Sequence, residues 1–139
     1  MQHRRLGAQG PMVSAVGLGA MSFAGVYGGA DDEDSAATIA RALELGVTFI
    51  DTANIYGSGH SERVVGRAIA GRRADVILAT KFGGGGGAGL GRRDKVRPAL
   101  EESLSRLGTF PRQQVTGRAV VYGHHGGEDD QERGNVVRV

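Results

Sequence analysis

The chain has no cysteine and no tryptophan, only three prolines, and only two lysines among its seventeen basic residues. Without cysteine there can be neither disulfides nor thiolate metal sites, which fits a reducing compartment and makes a cytoplasmic location the expectation. No apolar run approaches the roughly 20 residues that a helix needs to cross a bilayer. An excess of one charge is missing too. The formal net charge is +2, and basic residues are interspersed with acids, so no stripe points to nucleic acid or to an anionic membrane. Arg4-Arg5 stands near the start, but Gly7, Gly10, Pro11 and Gly17 break the apolar segment that an export signal would need. A small-molecule partner is the expectation that remains.

What the chain does have is a pair of short strand-favouring runs that end in chemistry-bearing residues. Val47-Thr48-Phe49-Ile50-Asp51 closes on an acid, and Val76-Ile77-Leu78-Ala79-Thr80-Lys81 closes on an amine. Between them, Ser61 to Ala70 has helical spacing, with Val64, Val65, Ala68 and Ile69 facing inward and Gly71 ending the segment. A strand, helix, strand unit makes neighbouring parallel strands whose carboxyl ends point the same way, and ligands bind at that edge in α/β folds. Asp51, Lys81 and the intervening Tyr56 can therefore converge.

The flanking segments extend the same pattern. Residues 3 to 16 read as strand, turn, strand, separated by Gly7, Gly10 and Pro11. Val16 to Met21 reads as a further strand. Asp31, Asp32, Glu33 and Asp34 place negative charge at a helix start, and Ala36, Ile39, Ala40 and Leu43 repeat at helical spacing until Gly46. The same acids could hold a cation, but acids in a first helical turn are commonplace because they oppose the macrodipole. Ser61 is a candidate cap for the next helix, with Glu62 as its first-turn acid. His60 lacks the paired spacing of a metal ligand and reads as a loop residue lying over the site.

Seven glycines fall among residues 83–91 and contain G-x-G-x-x-G by composition alone. With Glu101 and Glu102 on a helix rather than at a strand end, a mobile loop is a better reading than a dinucleotide fingerprint. A helix then runs to Leu107 with Val96, Leu100, Leu104 and Leu107 on one face, Pro98 in its first turn and Gly108 as its stop. From Phe110 the character changes. The last thirty residues contain no Leu, Ile or Lys, and only Arg118 to Tyr122 resembles a strand. His124 and His125, near Glu128, Asp129 and Asp130, could be read as a weak metal cluster, although a solvated polar tail fits them better.

Three ordered motifs carry a family resemblance. Phe49-Ile50-Asp51-Thr52-Ala53-Asn54-Ile55-Tyr56-Gly57, then Ser61-Glu62-Arg63-Val64-Val65-Gly66-Arg67-Ala68, then Ala79-Thr80-Lys81-Phe82-Gly83 resemble the aldo-keto reductases, as do the opening Arg4 to Phe23 and the later Ala99 to Thr109. The resemblance covers residues 2–109. It implies an α/β fold, the N-terminal portion of a (β/α)8 barrel with an N-terminal β-hairpin plugging its floor. Such a barrel usually takes about 250 residues, so a chain of 139 residues is expected not to close one alone. Residues 1–109 are then a partial (β/α) domain and 110–139 a polar tail that does not match.

The resemblance further implies an oxidoreductase that reduces an aldehyde or ketone with NADPH. Tyr56 matches the proton-donating tyrosine, and Lys81 and Asp51 match its supporting amine and acid. The loop holding Gly19, Ala20 and Met21, with Asp51, faces the nicotinamide. The family's active-site histidine has no counterpart, because Arg118 stands at its place, and the strands that bind the cofactor's phosphates lie beyond the matched region. The bland reading of the trio, strand-end polar residues capping a core around an ordinary ion pair, has the ordered motifs against it. A second expectation is therefore a non-catalytic half-barrel that self-associates through open sheet edges.

Overall fold

The computed structural model describes residues 1–29, 31–83, 93–109, 119–123 and 137–138. Strands β1 (His3–Arg5) and β2 (Met12–Ser14) form an antiparallel hairpin. The main sheet holds β3 (Leu18–Gly19), β4 (Phe49–Asp51), β5 (Ile77–Phe82), β6 (Ala119–Gly123) and β7 (Val137–Arg138) in chain order, parallel from β3 to β6 with β7 antiparallel at the edge. Helices α1 (Asp32–Glu44) and α2 (His60–Ala68) make the first two crossovers, and α3 (Arg93–Arg106) lies between β5 and β6. The sheet is open, as expected for the first part of a (β/α)8 barrel. Among the described residues no helix is long and apolar enough to cross a membrane.

Period-two alternation sorts the strands into a helix-facing side and a side away from the helices. Register places Leu18, Ile50 and Leu78 in one row, and Gly19, Asp51 and Ala79 in the next. The first row joins Ile39 and Leu43 of α1, Val64 and Val65 of α2, and Leu107 past α3 in one buried cluster. Each fully buried aliphatic side chain there contributes about 1.5–3 kcal/mol. Gly19 and Asp51 of the other row border a cavity of about 460 Å³, which Phe49 and the hairpin residues Val13 and Ser14 also line. The hairpin is fastened to the residue before β4 by a reciprocal pair, the Ser14 amide donating to Thr48 Oγ1 at 3.0 Å and the Thr48 amide to Ser14 Oγ at 2.9 Å.

The helix ends follow the sequence closely. Asp31 caps α1 by accepting the Glu33 amide at 2.7 Å. Past α1, Gly46 takes φ +84° while its amide reaches Leu43 O and the Val47 amide reaches Ala42 O. Gly108 ends α3 in the same way, with φ +64° and the Thr109 amide on Leu104 O. Both are glycine-terminated Schellman motifs.

Three details differ from the sequence reading. Ser35 rather than Ala40 shares the buried face of α1 with Ile39 and Leu43, since the i, i+4 stripe runs 35, 39, 43 and Ala40 falls on its flank. Pro98 stands six residues into α3, beyond its first turn, at an exposed position. The first main strand is shorter than Val16 to Met21 and turns into a 3-10 segment at Met21–Ala24. The glycine-rich loop at 84–91 and the His124/His125 cluster lie outside the described residues.

Helix α2 passes close to the end of α3. A Cβ placed on Gly66 would stand 2.8 Å from the Arg106 carbonyl oxygen and 2.9 Å from Leu107 Cα. Alanine in a helix interior ordinarily stabilises by up to about 1 kcal/mol over glycine, but overpacking against backbone costs about 1–3 kcal/mol. Gly66→Ala is therefore expected to lower the urea midpoint. Gly71→Ala, whose methyl meets nothing within 4 Å, serves as the neutral reference, and equal midpoints for the two variants would contradict this packing.

Candidate active site

At the carboxyl edge of the sheet, β4 delivers Asp51 and β5 delivers Lys81 on the side away from the helices. The chain leaving β4 turns through Ala53 to Tyr56, whose amide returns to Ala53 O at 3.2 Å. Two backbone bonds tie this turn to β5, the Thr52 amide to Ala79 O at 2.8 Å and the Asn54 amide to Lys81 O at 3.3 Å. The three candidates do converge. The Lys81 ammonium donates to the Asp51 carboxylate, to Thr52 O at 3.0 Å and to Tyr56 Oη at 3.4 Å. It also sits 5.2 Å from the Tyr56 ring centroid, within cation–π range. The side chains of Lys81 and Asp51 are 37% and 34% exposed, so a ligand can reach them.

The other sequence candidates border this group. Gly19 pairs with Asp51 in register, Ala20 is fully buried with its amide donating to Asp51 O at 2.8 Å, and Met21 opens the 3-10 segment beyond. A Cβ on Gly19 would meet nothing within 4 Å, which leaves open space beside Asp51. Asn54 Oδ1 is buried and has no hydrogen-bond partner among the described residues. Arg118 lies outside the described residues, and the register sets Tyr122 of β6 opposite Lys81.

His60 does not lie over this group as the sequence reading expects. It opens α2 and shares a 2.8 Å hydrogen bond through Nε2 with Asp32 Oδ1, while Arg67 bonds the other oxygen of the same carboxylate. α2 is entered through three successive left-handed residues, Gly57, Ser58 and Gly59, with φ of +58°, +51° and +81°. Gly59, not Ser61, occupies the cap position, which frees the Ser61 hydroxyl for other contacts.

Two polar residues inside this fold escape a sequence reading of the site. Ser61 Oγ donates to Ala20 O at 2.7 Å and lies 2.9 Å from Thr52 Oγ1. Glu62 stands in the first turn of α2 as the sequence reading has it, but it is fully buried, accepting from Thr80 Oγ1 at 2.6 Å and from Arg106 Nε. A signal was present in the chain: Glu62, Val65 and Ile69 fall on one helical stripe, which puts the carboxylate on the buried face.

Residues 15–115 match the Aldo/keto reductase family. The chain is 36% identical over 115 residues to the uncharacterized oxidoreductase YqkF of Bacillus subtilis, and 39% identical over 107 residues to the L-galactose dehydrogenase of Arabidopsis thaliana. These alignments cover 78% and 75% of this chain but 36% and 34% of those proteins. Among solved structures it superposes on the holo form of the aldo-keto reductase AKR11C1 from Bacillus halodurans with a TM-score of 0.68 at 37% identity, and on an aldo-keto reductase from Klebsiella pneumoniae in complex with NADPH with a TM-score of 0.60 at 31% identity. Each superposition covers 78% of this chain and 37% of the other. The chain belongs to the aldo/keto reductase family, and spans little more than a third of the length of these relatives.

The Asp32 cluster makes stability depend on pH. The hydrogen bond from His60 holds the Asp32 carboxyl below the usual carboxylate range, against an opposing desolvation, and Arg67 adds to the effect. With its value depressed in the folded state, Asp32 contributes fully above the ordinary carboxylate range and loses that contribution as pH falls through the depressed value. Denaturant midpoints of the wild type and Asp32→Asn should therefore differ at neutral pH and converge in acid. A gap that stays constant with pH would refute the linkage.

Proposed function

We propose that this chain carries the proton-handling site of an NADPH-dependent reductase of aldehydes or ketones, with Asp51, Tyr56 and Lys81 as its catalytic residues. The observation supporting this most directly is the triple engagement of one ammonium by the Asp51 carboxylate, the Thr52 carbonyl and the Tyr56 hydroxyl. A free phenol holds its proton up to about pH 10. A cation donating to the phenol oxygen stabilises the phenolate left behind when that proton moves on. Because Lys81 is the donor in that contact, the Tyr56 O–H remains available to a substrate carbonyl oxygen. Asp51 holds the ammonium in place.

For the cofactor, the residues fit its reactive end: the open space over Gly19, the loop through Ala20 and Met21, and the unpaired Asn54 Oδ1 at the same edge. When bound, NADPH supplies a hydride to the carbonyl carbon. The relative in complex with NADPH favours that nicotinamide form. On this reading residues 1–109 are the partial barrel domain, residues 110–139 follow it and add β6 and β7 to its sheet, and a reducing compartment such as the cytoplasm suits the cysteine-free chain.

A second reading concerns the 139 residues by themselves, as a half-barrel that associates instead of turning over substrate. The open sheet favours it, because unpaired strand edges are templates for association. Light scattering after sizing is expected to find associated or loosely folded protein with no NADPH oxidation across a panel of aldehydes. A compact monomer with saturable turnover would overturn this second reading.

The catalytic reading is tested in a chain completed with the later barrel strands of a relative. Tyr56→Phe should lower carbonyl reduction by about 10²–10⁴-fold, the range of a positioned general acid, while NADPH binding measured by fluorescence stays nearly intact. Unchanged turnover would remove Tyr56 from the chemistry. Losses from Asp51→Asn and Lys81→Met should be non-additive because both act through Tyr56, and strictly additive losses would separate their roles.

A further inference from the structure

The residues next to Asp51 and Lys81 in the chain point to the opposite face of the sheet, and both are held by α2. Thr52 follows Asp51, and its buried hydroxyl lies 2.9 Å from Ser61 Oγ, which itself donates to Ala20 O at 2.7 Å. With the Ser61 proton on Ala20 O, the Thr52 hydroxyl is the donor to Ser61. Thr80 precedes Lys81, and its buried hydroxyl donates to Glu62 Oε1 at 2.6 Å. Glu62 is in turn held by Arg106, whose side chain runs past Gly59, where a Cβ would come within 2.5 Å of Arg106 Cδ. Thus two adjacent residues in the first turn of one helix each grip the neighbour of one member of the ion pair.

We propose that Ser61 and Glu62 form a two-point clamp that sets the separation of the β4 and β5 ends, making them positioning residues for the Lys81 amine. The inference rests on Asp51, Tyr56 and Lys81 being the reacting group. Thr52 links the two layers, because its carbonyl accepts from Lys81 Nζ at 3.0 Å while its hydroxyl is held by Ser61. Glu62 lies on the far side of β5 from the amine and acts only through Thr80 and the backbone. If either grip is lost, the strand ends gain freedom and the amine spends more time away from its three acceptors. A hydrogen bond buried among fixed partners is suited to this because its donor and acceptor have nowhere else to go.

The composition supplies a readout that needs no turnover. Lys81 and Lys95 are the only lysines, and Lys95 is exposed on α3, so it calibrates a limiting dose of acetic anhydride applied to the full chain. The ratio of Lys81 to Lys95 acetylation, read by peptide mass, reports how often the Lys81 amine leaves its acceptors. Thr80→Val keeps the shape but removes the hydroxyl, and Ser61→Ala removes the other grip. Each should raise the ratio roughly two- to tenfold, the factor carried by one net hydrogen bond. Thr80→Ser should restore the wild-type ratio, while Ile69→Val, which loosens the same helix without touching a hydroxyl, should leave it unchanged.

Ratios in Thr80→Val and Ser61→Ala that stay at the wild-type value, or that only match Ile69→Val, would overturn the clamp. Asp51→Asn separates this from the parent reading. If it raises the ratio while the clamp variants do not, the ion pair stands and the clamp alone fails. If it leaves the ratio unchanged, the amine is not held by Asp51 in solution, and both proposals fall.

Discussion

Parallel register between β3, β4 and β5 is the constraint on which everything else in this chain depends. It sets Leu18, Ile50 and Leu78 in one row and Gly19, Asp51 and Ala79 in the next. Since successive residues of a strand face opposite sides, a slip of one position would turn the apolar row outward and drive Asp51 into the helix layer. A carboxylate there without partners is strongly disfavoured. The burial of Ile50 and Leu78 and the placement of the acid and amine are therefore one physical event. The core cannot form in this register without also bringing Asp51 and Lys81 to the same side of the sheet.

How much of this could be read from the sequence follows from the type of signal each residue carries. Asp51 and Lys81 were legible because each ends a short apolar run, and the intervening helix forces their strands to be parallel. Gly46 and Gly108 were legible as stops because a left-handed residue after a helix favours glycine. Glu62 was legible as a first-turn acid, but its burial was not, because an acid near a helix N-terminus has an adequate electrostatic explanation by itself, and only its three-dimensional neighbours, Thr80 and Arg106, provide another. They lie 18 and 44 residues away, beyond the reach of local pattern. His60 went astray for a similar reason, since its partner Asp32 comes from the start of the preceding helix. Ala40 and Pro98 are failures of phase, where a weakly discriminating residue and an uncertain helix start left the local signal ambiguous.

The Glu62–Arg106 pair, whose carboxylate is fully buried and whose guanidinium is partly exposed, has a cost and a use. Taking the Glu62 charge out of water is expensive, and such pairs seldom stabilise more than a well-packed apolar pair would. Their geometry is demanding, however, and here it is met only when the end of α3 lies across α2 at Gly66 and Arg106 threads past Gly59. An alternative packing of α3 would leave a carboxylate buried beside one hydroxyl. The pair therefore discriminates among arrangements of the helix layer more than it deepens the preferred one, and the two glycines are the clearance that makes the preferred one attainable.

The antiparallel strand β7 along the outer edge of β6 has a kinetic consequence. In a closed (β/α)8 barrel that edge would receive a parallel neighbour, but here its backbone groups at Val120 and Val121 are already paired with Arg138 and Val137. Any segment arriving to extend the sheet on this side must displace a resident one, so the encounter is an exchange and not an addition. At high concentration of an incoming segment, the rate would saturate at the frequency with which the resident strand peels away. The opposite margin, at the two-residue β3, has no such gatekeeper among the described residues. Growth of the sheet is thus directional, free at its first strand and gated at its last.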